Sequence, residues 1–349
     1  MSELPEIEGV DFDAVAEWMD GEGLERGPIE RAERLTGGSQ NILVRIERAG
    51  RSYVLRRPPI HKRGNSDETM RREARVLAAL AGSDVPHPGL IAACADEQVI
   101  GGAFYLMEPV DGFNATEGLP SLHAERPELR HRMGLAMAEG AARLAAVDWQ
   151  SAGLAGFGKP DGYLERQVGR WWSQLEGYSQ LEGYPGPEIP GAEEVARWLE
   201  SHLPTDWMPG ILHGDFHLAN VMFEGSSGEL AAIIDWELST IGDPLIDLGW
   251  LLATWPNDDG TGAGAIAVQP WEGFATRREL VEAYEACSGR PVAHVADFYF
   301  VLACYKLGIL LEGTHARACA GKAPKAIGDL LHAQTLGLFA RATEWMASR

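Results

Sequence analysis

The chain has little cysteine, no long apolar run and no excess of positive charge, and each shortage removes a class of protein. Four cysteines stand among 349 residues, at positions 94, 287, 304 and 319, with no Cys-x-x-Cys pair. Neither a disulfide framework nor a zinc cluster is expected from that usage, and a reducing, cytoplasmic setting is. No apolar run approaches the roughly 18 residues of a membrane span. The first twenty residues carry Glu3, Glu6, Glu8 and Asp11 and lack the basic and apolar regions of a secretory signal. No membrane partner is therefore expected. The formal net charge of −21 argues against a nucleic-acid partner, because counterion release needs a basic surface. Gly-x-x-x-x-Gly-Lys followed by Ser or Thr is missing, which excludes a P-loop, and Gly-x-Ser-x-Gly is missing, which leaves no nucleophile elbow. No repeat or low-complexity tract is seen.

What is present is an ordinary globular composition, 45% hydrophobic and 23% charged, sufficient for one large unit or two lobes. Charge is unevenly spread. Between Arg26 and Arg75 there are 13 Lys or Arg against 6 Asp or Glu, a balance of +7 that leaves −28 for the remainder. Such asymmetry fits a solvated surface of mixed sign; it also fits a basic segment for a polyphosphate and an acidic one for magnesium or a cationic substrate.

Periodicity divides the chain. Residues 11–19 form a short amphipathic helix ending near Gly21 and Gly23, so residues 1–29 read as an N-terminal helical extension. Ile42, Val44 and Ile46 alternate with polar neighbours, Ala49-Gly50 makes a turn, and Tyr53 to Arg56 follows as a second strand. Met70, Ala74, Leu77, Ala78 and Ala81 recur at helical spacing until Pro86-His87-Pro88 stops the helix, and Phe104 to Met107 reads as another strand. Beyond Asp111-Gly112 the pattern is helical, over 126–146, 163–181, 193–202, 278–287 and 293–311, with Gly183 to Gly191 as a loop. The expected fold class is α+β: residues 30–110 a small antiparallel sheet lobe with one helix, residues 111–349 a large, mainly helical lobe.

Leu212-His213-Gly214-Asp215-Phe216-His217-Leu218-Ala219-Asn220 and, fifteen residues past Asn220, Asp235 after the apolar run Leu230 to Ile234 carry the chemistry. Phosphoryl transfer needs positioning and charge neutralisation more than covalent chemistry. Asp215 suits the base that accepts or orients the proton of an attacking hydroxyl, and Asn220 and Asp235 supply hard oxygens for magnesium. A lone Asp-x4-Asn is common in loops; the joint pattern is far rarer by chance. His213 and His217, four apart, would suit zinc on a helix, but Gly214 and the strand-like Ile211-Leu212 disfavour a helix there. Asp243-Pro244 reads as a cap and first helical residue, Asp243 and Asp247 tying the next helix to the loop.

Those segments, with Gly242-Asp243-Pro244-Leu245-Ile246-Asp247-Leu248-Gly249-Trp250, resemble the aminoglycoside phosphotransferase and choline kinase family. More narrowly they resemble its branch of kinase-like domains fused to acyl-CoA dehydrogenases. The likeness runs from about residue 30 to 335. It implies a protein-kinase-like two-lobe fold, ATP as cofactor with GTP open as an alternative, and Mg2+. On the resemblance, Gly37, Gly38, Ser39, Gln40 and Asn41 would approach phosphates, although the run is not Gly-x-Gly-x-x-Gly and, taken alone, a plain hairpin turn explains it better. Arg56 would clamp the α- and β-phosphates where the family has lysine, a planar fork in place of a point charge. Val54 would pack on adenine, Glu73 would pair with Arg56 or face solvent beside Arg71 and Arg72, and the Glu108 carbonyl and Val110 N–H would meet the adenine edge.

The implied activity is phosphorylation of a small-molecule hydroxyl; the alternative is an inert nucleotide-binding pseudokinase acting as a regulatory module. A protein kinase is disfavoured because no activation loop with an Ala-Pro-Glu end lies between Asp235 and Asp243. The acidic C-terminal portion favours an aminoglycoside-like cation as acceptor, and the resemblance favours a hydroxyacyl-CoA. Tyr163, Arg166, Trp171, Trp172, Tyr305, Lys306 and Glu312 are candidates to line its pocket. The oligomeric state is open.

Overall fold

The computed structural model describes residues 4–35, 41–62 and 64–347. Gly37, Gly38, Ser39 and Gln40 lie outside the described residues. The chain divides into two units: Met1–Asp111 with Gln150–Leu154 and Ala231–Ser239, and Gly112–Trp149 with Ala155–Leu230 and Thr240–Arg349.

The first unit is built on an antiparallel sheet of five strands, β1 (Arg31–Leu35), β2 (Ile42–Arg48), β3 (Arg51–Arg57), β4 (Leu90–Cys94) and β5 (Phe104–Met107), in the order β1-β2-β3-β5-β4. Alternation on β2 buries Val44 and Ile46, and the register sets Val44 against Leu55 and Ile46 against Tyr53, so one face of the sheet becomes apolar. That face packs on Val15 and Met19 of helix α1 (Phe12–Gly21), which share one core with Ile7, Val10 and Phe104. Each such side chain contributes roughly 1.5–3 kcal/mol on burial. The Asp11 side chain caps α1 by accepting from the Asp13 and Ala14 N–H groups. Arg48, fully buried at the end of β2, donates to the Ala16 carbonyl at 3.0 Å and pairs with Asp20. Ile7, Val10, Val15, Met19 and Ile29 thus belong to this unit's core. Helix α2 (Ser66–Leu80) presents Met70, Glu73, Ala74 and Leu77 inward.

The second unit is mainly helical: α3 (Ser121–Glu125), α4 (Pro127–Ala145), α5 (Glu165–Gly177), α6 (Ala192–Ser201), α7 (Leu245–Thr254), α8 (Arg277–Ser288), α9 (Ala293–Cys319) and α10 (Lys325–Ala347). Its short strands are β6 (Gly210–Leu212), β7 (Val221–Phe223) and β9 (Thr240–Gly242), with β6 antiparallel to β9. Strand β8 (Leu230–Ile233) starts in this unit and continues into the first. α7 is buried along its whole length, and Gly249 lets α9 approach: a Cβ there would meet the Tyr299 backbone.

Among the described residues α9 alone is long and apolar enough to cross a membrane, which corrects the expectation that no run approaches that length. Its apolar window is 61% buried within the protein, so its composition answers to the helices α7 and α10 packed around it. α9 also runs past its expected end at residue 311, and α10, absent from the sequence expectation, follows it.

Candidate active site

In the second unit, β6 is wholly buried and delivers the loop that carries Asp215. Asp247 on α7 pins that loop, its carboxylate accepting the backbone N–H of His213 at 2.6 Å and of Gly214 at 2.8 Å. Gly214 takes φ +86°, which glycine adopts without steric cost. Burial pushes the Asp247 carboxyl up, against the pull of His213 and the two N–H donors. Asp243, as the sequence suggested, ties the start of α7: it accepts the Leu245 N–H at 3.1 Å and the Tyr299 hydroxyl.

Asp215 itself is 31% exposed at the side chain. Its Oδ1 accepts Trp250 Nε1–H at 2.8 Å and lies 3.3 Å from His217 Nε2, while Oδ2 accepts Asn220 Nδ2–H at 3.0 Å. The same Asn220 amide donates to the Asp215 carbonyl at 2.9 Å, an orientation that leaves the amide oxygen as the atom able to take a hard cation. Burial alone would raise Asp215, but His217, His213 and Lys306 outweigh it and hold the carboxyl well below the usual range. Asp215 is therefore a carboxylate at neutral pH. His217 accepts the Ala219 N–H at 3.2 Å and opens a 3-10 turn, so the two histidines do not share a helix face.

Lys306 on α9 donates to the Gly214 carbonyl at 3.0 Å, with its Nζ 4.2 Å from the Trp250 ring centroid and 5.6 Å from that of Trp171. Burial pushes its pKa down to about 8, opposed by Asp215 and Asp247. Tyr305 is fully buried and Glu312 lies against Tyr184 and His332, so neither lines an open pocket as expected for an acceptor site. Trp250 is the residue that sequence reasoning passed over. Its signal was present: it follows Asp247 by three positions, one helical turn, and so faces the same loop.

In the first unit, β8 leads into Asp235, which takes φ +66° and ψ +65°, the left-handed region where aspartate is among the more tolerant residues. Arg56, buried on β3, reaches it with Nη2 2.5 Å from Oδ1. Arg56 Nε lies 2.9 Å from Glu73 Oε2, Nη2 donates to Glu73 Oε1 at 3.5 Å, and the Tyr105 hydroxyl donates to Glu73 Oε2 at 2.8 Å. Glu73 is fully buried on α2 and is not solvent-facing. Burial alone would discharge Arg56; the charges of Glu73 and Asp235 outweigh it and raise its pKa. Val54 sits two residues before Arg56 on the same strand face, opposite Met107 in register. Past β5, the Glu108 N–H donates to the Gly89 carbonyl at 2.8 Å, and Val110 and Asn41 are half-buried. The predicted residues thus assemble in two sets, Asp215 with Asn220 in one unit and Arg56, Glu73 and Asp235 in the other.

An antiparallel sheet unit followed by a helical unit, with an Asp–Asn loop in one and an Arg–Glu–Asp cluster in the other, defines a protein-kinase-like phosphotransferase fold. A family profile described as "Phosphotransferase enzyme family" matches residues 31–282, and the chain belongs to that family. It is 32% identical over 312 residues to acyl-CoA dehydrogenase family member 10 of Mus musculus, an alignment covering 86% of this chain and 28% of that protein. The chain spans between 28% and 38% of the length of this and similar relatives. A solved structure from Ralstonia eutropha, whose provisional name is aminoglycoside phosphotransferase, is 31% identical with a TM-score of 0.78, covering 96% of this chain and 98% of that one. The GDP complex of aminoglycoside 2'-phosphotransferase-IIIa shares the fold at 16% identity and a TM-score of 0.63, over 96% of this chain and 99% of that one.

Proposed function

We propose that the protein is an ATP- and Mg2+-dependent kinase that phosphorylates a hydroxyl of a small molecule. The observation that carries this reading is Asp215: a carboxylate kept ionised, part-exposed, oriented by Trp250 and Asn220, and held on a loop fixed by Asp247. In this reading Asp215 takes or orients the acceptor's proton, Asn220 and Asp235 hold magnesium through their oxygens, and Arg56, steadied by Glu73, clamps the nucleotide phosphates. Magnesium held by the Asn220 and Asp235 oxygens would supply charge neutralisation at the phosphates. ATP is the proposed donor; the GDP bound by the phosphotransferase neighbour makes GTP the comparison to run. The four cysteines, all free, suit a reducing cytoplasm.

For the acceptor, Lys306, whose charge bears on Asp215, and Arg170, whose charge bears on Lys306, favour a substrate that brings negative charge. Lys306 stands against the catalytic loop and Arg170 lies 5.0 Å from the Trp171 ring centroid. A hydroxyacyl-CoA fits those cations and the relative's name better than an aminoglycoside cation does. Local cations govern despite the net charge of −21, because distant charges are screened beyond about 8–10 Å at physiological salt. A second reading has one observation in its favour: the Arg56–Asp235 ion pair ties up a proposed magnesium ligand, as suits an inert nucleotide-binding module.

ADP release from Mg·ATP, measured with hydroxyacyl-CoAs, aminoglycosides and choline, separates the readings. The kinase reading expects acceptor-dependent turnover with a hydroxyacyl-CoA. Turnover with an aminoglycoside alone would reassign the acceptor, and nucleotide binding with no turnover on any acceptor would establish the inert module.

A further inference from the structure

Helices α9 and α10 carry a second cluster of chemistry-bearing side chains that the proposed reaction does not use. Glu312 and His315 stand one turn apart on α9, and His332 faces them from α10; one oxygen or ring nitrogen from each lies within 4.8 Å of the others. His332 Nδ1 is 2.7 Å from Glu312 Oε2, and the Tyr184 hydroxyl donates to Glu312 Oε1 at 2.6 Å. The two imidazole rings stack at 4.4 Å between centroids with 24° between planes. His315 Nε2 is 3.6 Å from Cys319 Sγ, while its Nδ1 is enclosed with no hydrogen-bond partner, 4.0 Å from Asp329 Oδ1.

A hydrogen-bonded pin between two helices would explain the His332–Glu312 contact. It leaves two features unexplained. The Glu312 side chain is 1% exposed, and its hydrogen-bonding partners are a phenol and an imidazole, so a carboxyl is buried with no lysine or arginine bonded to it. His315, stacked on His332, contributes a ring nitrogen shut away from water with nothing to bond, an arrangement native interiors avoid. A divalent ion resolves both at once, since it neutralises the carboxylate and takes an imidazole lone pair.

We propose that Glu312, His315 and His332 form a zinc site that joins α9 to α10. Two imidazoles and one carboxylate are a donor set that zinc accepts with a fourth position left to water, and imidazole disfavours magnesium and calcium, which prefer oxygen ligands. Tyr184 holds the free carboxylate oxygen and so orients the ligand. Donors around tetrahedral zinc stand roughly 3.3 Å apart, so the 2.7 Å pair widens and the wider spacings close by side-chain shifts of about 1 Å. The helices are already close, because a Cβ on Gly328 of α10 would collide with Ala318 of α9. The absence of a Cys-x-x-Cys pair did not reveal this cluster because its ligands come from two helices and no cysteine is among them.

The test is zinc titration of the full chain, stripped of metal, in competition with a chromogenic chelator. The wild type is expected to take up one equivalent with a Kd below about 1 µM, and His315→Asn and His332→Asn each to weaken it by about 100-fold or more. Asp215→Asn is expected to leave uptake unchanged, which keeps the zinc site separate from the proposed reaction. Cobalt-loaded wild type gives a check that no variant's folding can spoil: a four-coordinate visible spectrum is expected. A six-coordinate spectrum, a wild type that cannot compete with the chelator, or His variants that retain full affinity would overturn the site and leave the hydrogen-bonded pin.

Discussion

Asp215 and Arg56 each do two things, and their substitutions should part accordingly. Asp215 is held as an anion by neighbours that also aim it. Asp215→Ala is expected to lower kcat by about 10²–10⁴-fold while nucleotide affinity stays within a few-fold, read by steady-state kinetics. Arg56 neutralises a buried Glu73. Removing it strands that charge, so Arg56→Ala should cost about 3–5 kcal/mol in urea denaturation, whereas Arg56→Lys should keep the fold and weaken nucleotide binding. Lys306 supplies the pH dependence. Its pKa is about 8, below the ordinary 10.5, because burial disfavours the ammonium. If the ammonium steadies negative charge during transfer, kcat/KM falls as pH rises through about 8, and Lys306→Met loses that limb along with about 10²-fold in rate. For stability the sign is opposite. Between pH 8 and 10.5 the unfolded chain binds the proton that the folded chain has released, so this site's contribution to stability improves as pH climbs through that window. A Lys306 titration by pH-dependent unfolding that shows a decline there would contradict the assignment.

At the scale of elements, α7 is the part that joins loop to helical core. Its Asp247 anchors the loop, its Trp250 aims Asp215, and its Gly249 admits α9. Gly249→Ala is expected to destabilise the protein by about 1–3 kcal/mol, measured by chemical denaturation, because the new methyl group meets the Tyr299 backbone and not a yielding side chain. Elements with a clean period were legible in the sequence. The alternation of β2 and the spacing of α2 announced themselves; the expected start of α7 is shifted by one residue, with Pro244 at the N-cap position and Leu245 the first helical residue, while Asp243 accepts the Leu245 N–H. α10 was not, because apolar residues surround it without one stripe, and its place was set by packing on α9. β4, Leu-Ile-Ala-Ala-Cys, was missed because two alanines carry almost no strand signal and its partner β5 decides it. The Asp215–Asn220 bond was legible from a five-residue loop spacing. Lys306 reaches that loop from α9, a separation no local pattern encodes, whereas Trp250 reaches it from α7, where its three-residue spacing from Asp247 was the one local sign.

At the scale of the molecule, the residues assigned to phosphoryl transfer are shared between two units, with Asp215 and Asn220 in the helical one and Arg56, Glu73 and Asp235 in the sheet one. That sharing explains why each motif is weak alone and specific together. It also sets the demand on any test, since binding to one unit is not transfer. The most direct measurement follows the γ-phosphoryl group itself, from labelled Mg·ATP to a hydroxyacyl-CoA in a single turnover, in wild type and Asp215→Asn. The account predicts a phosphorylated acceptor from the wild type and a rate lowered at least about 10²-fold in the variant, both requiring magnesium. Equal rates in the two proteins, or label that never leaves ATP in the wild type, would contradict it.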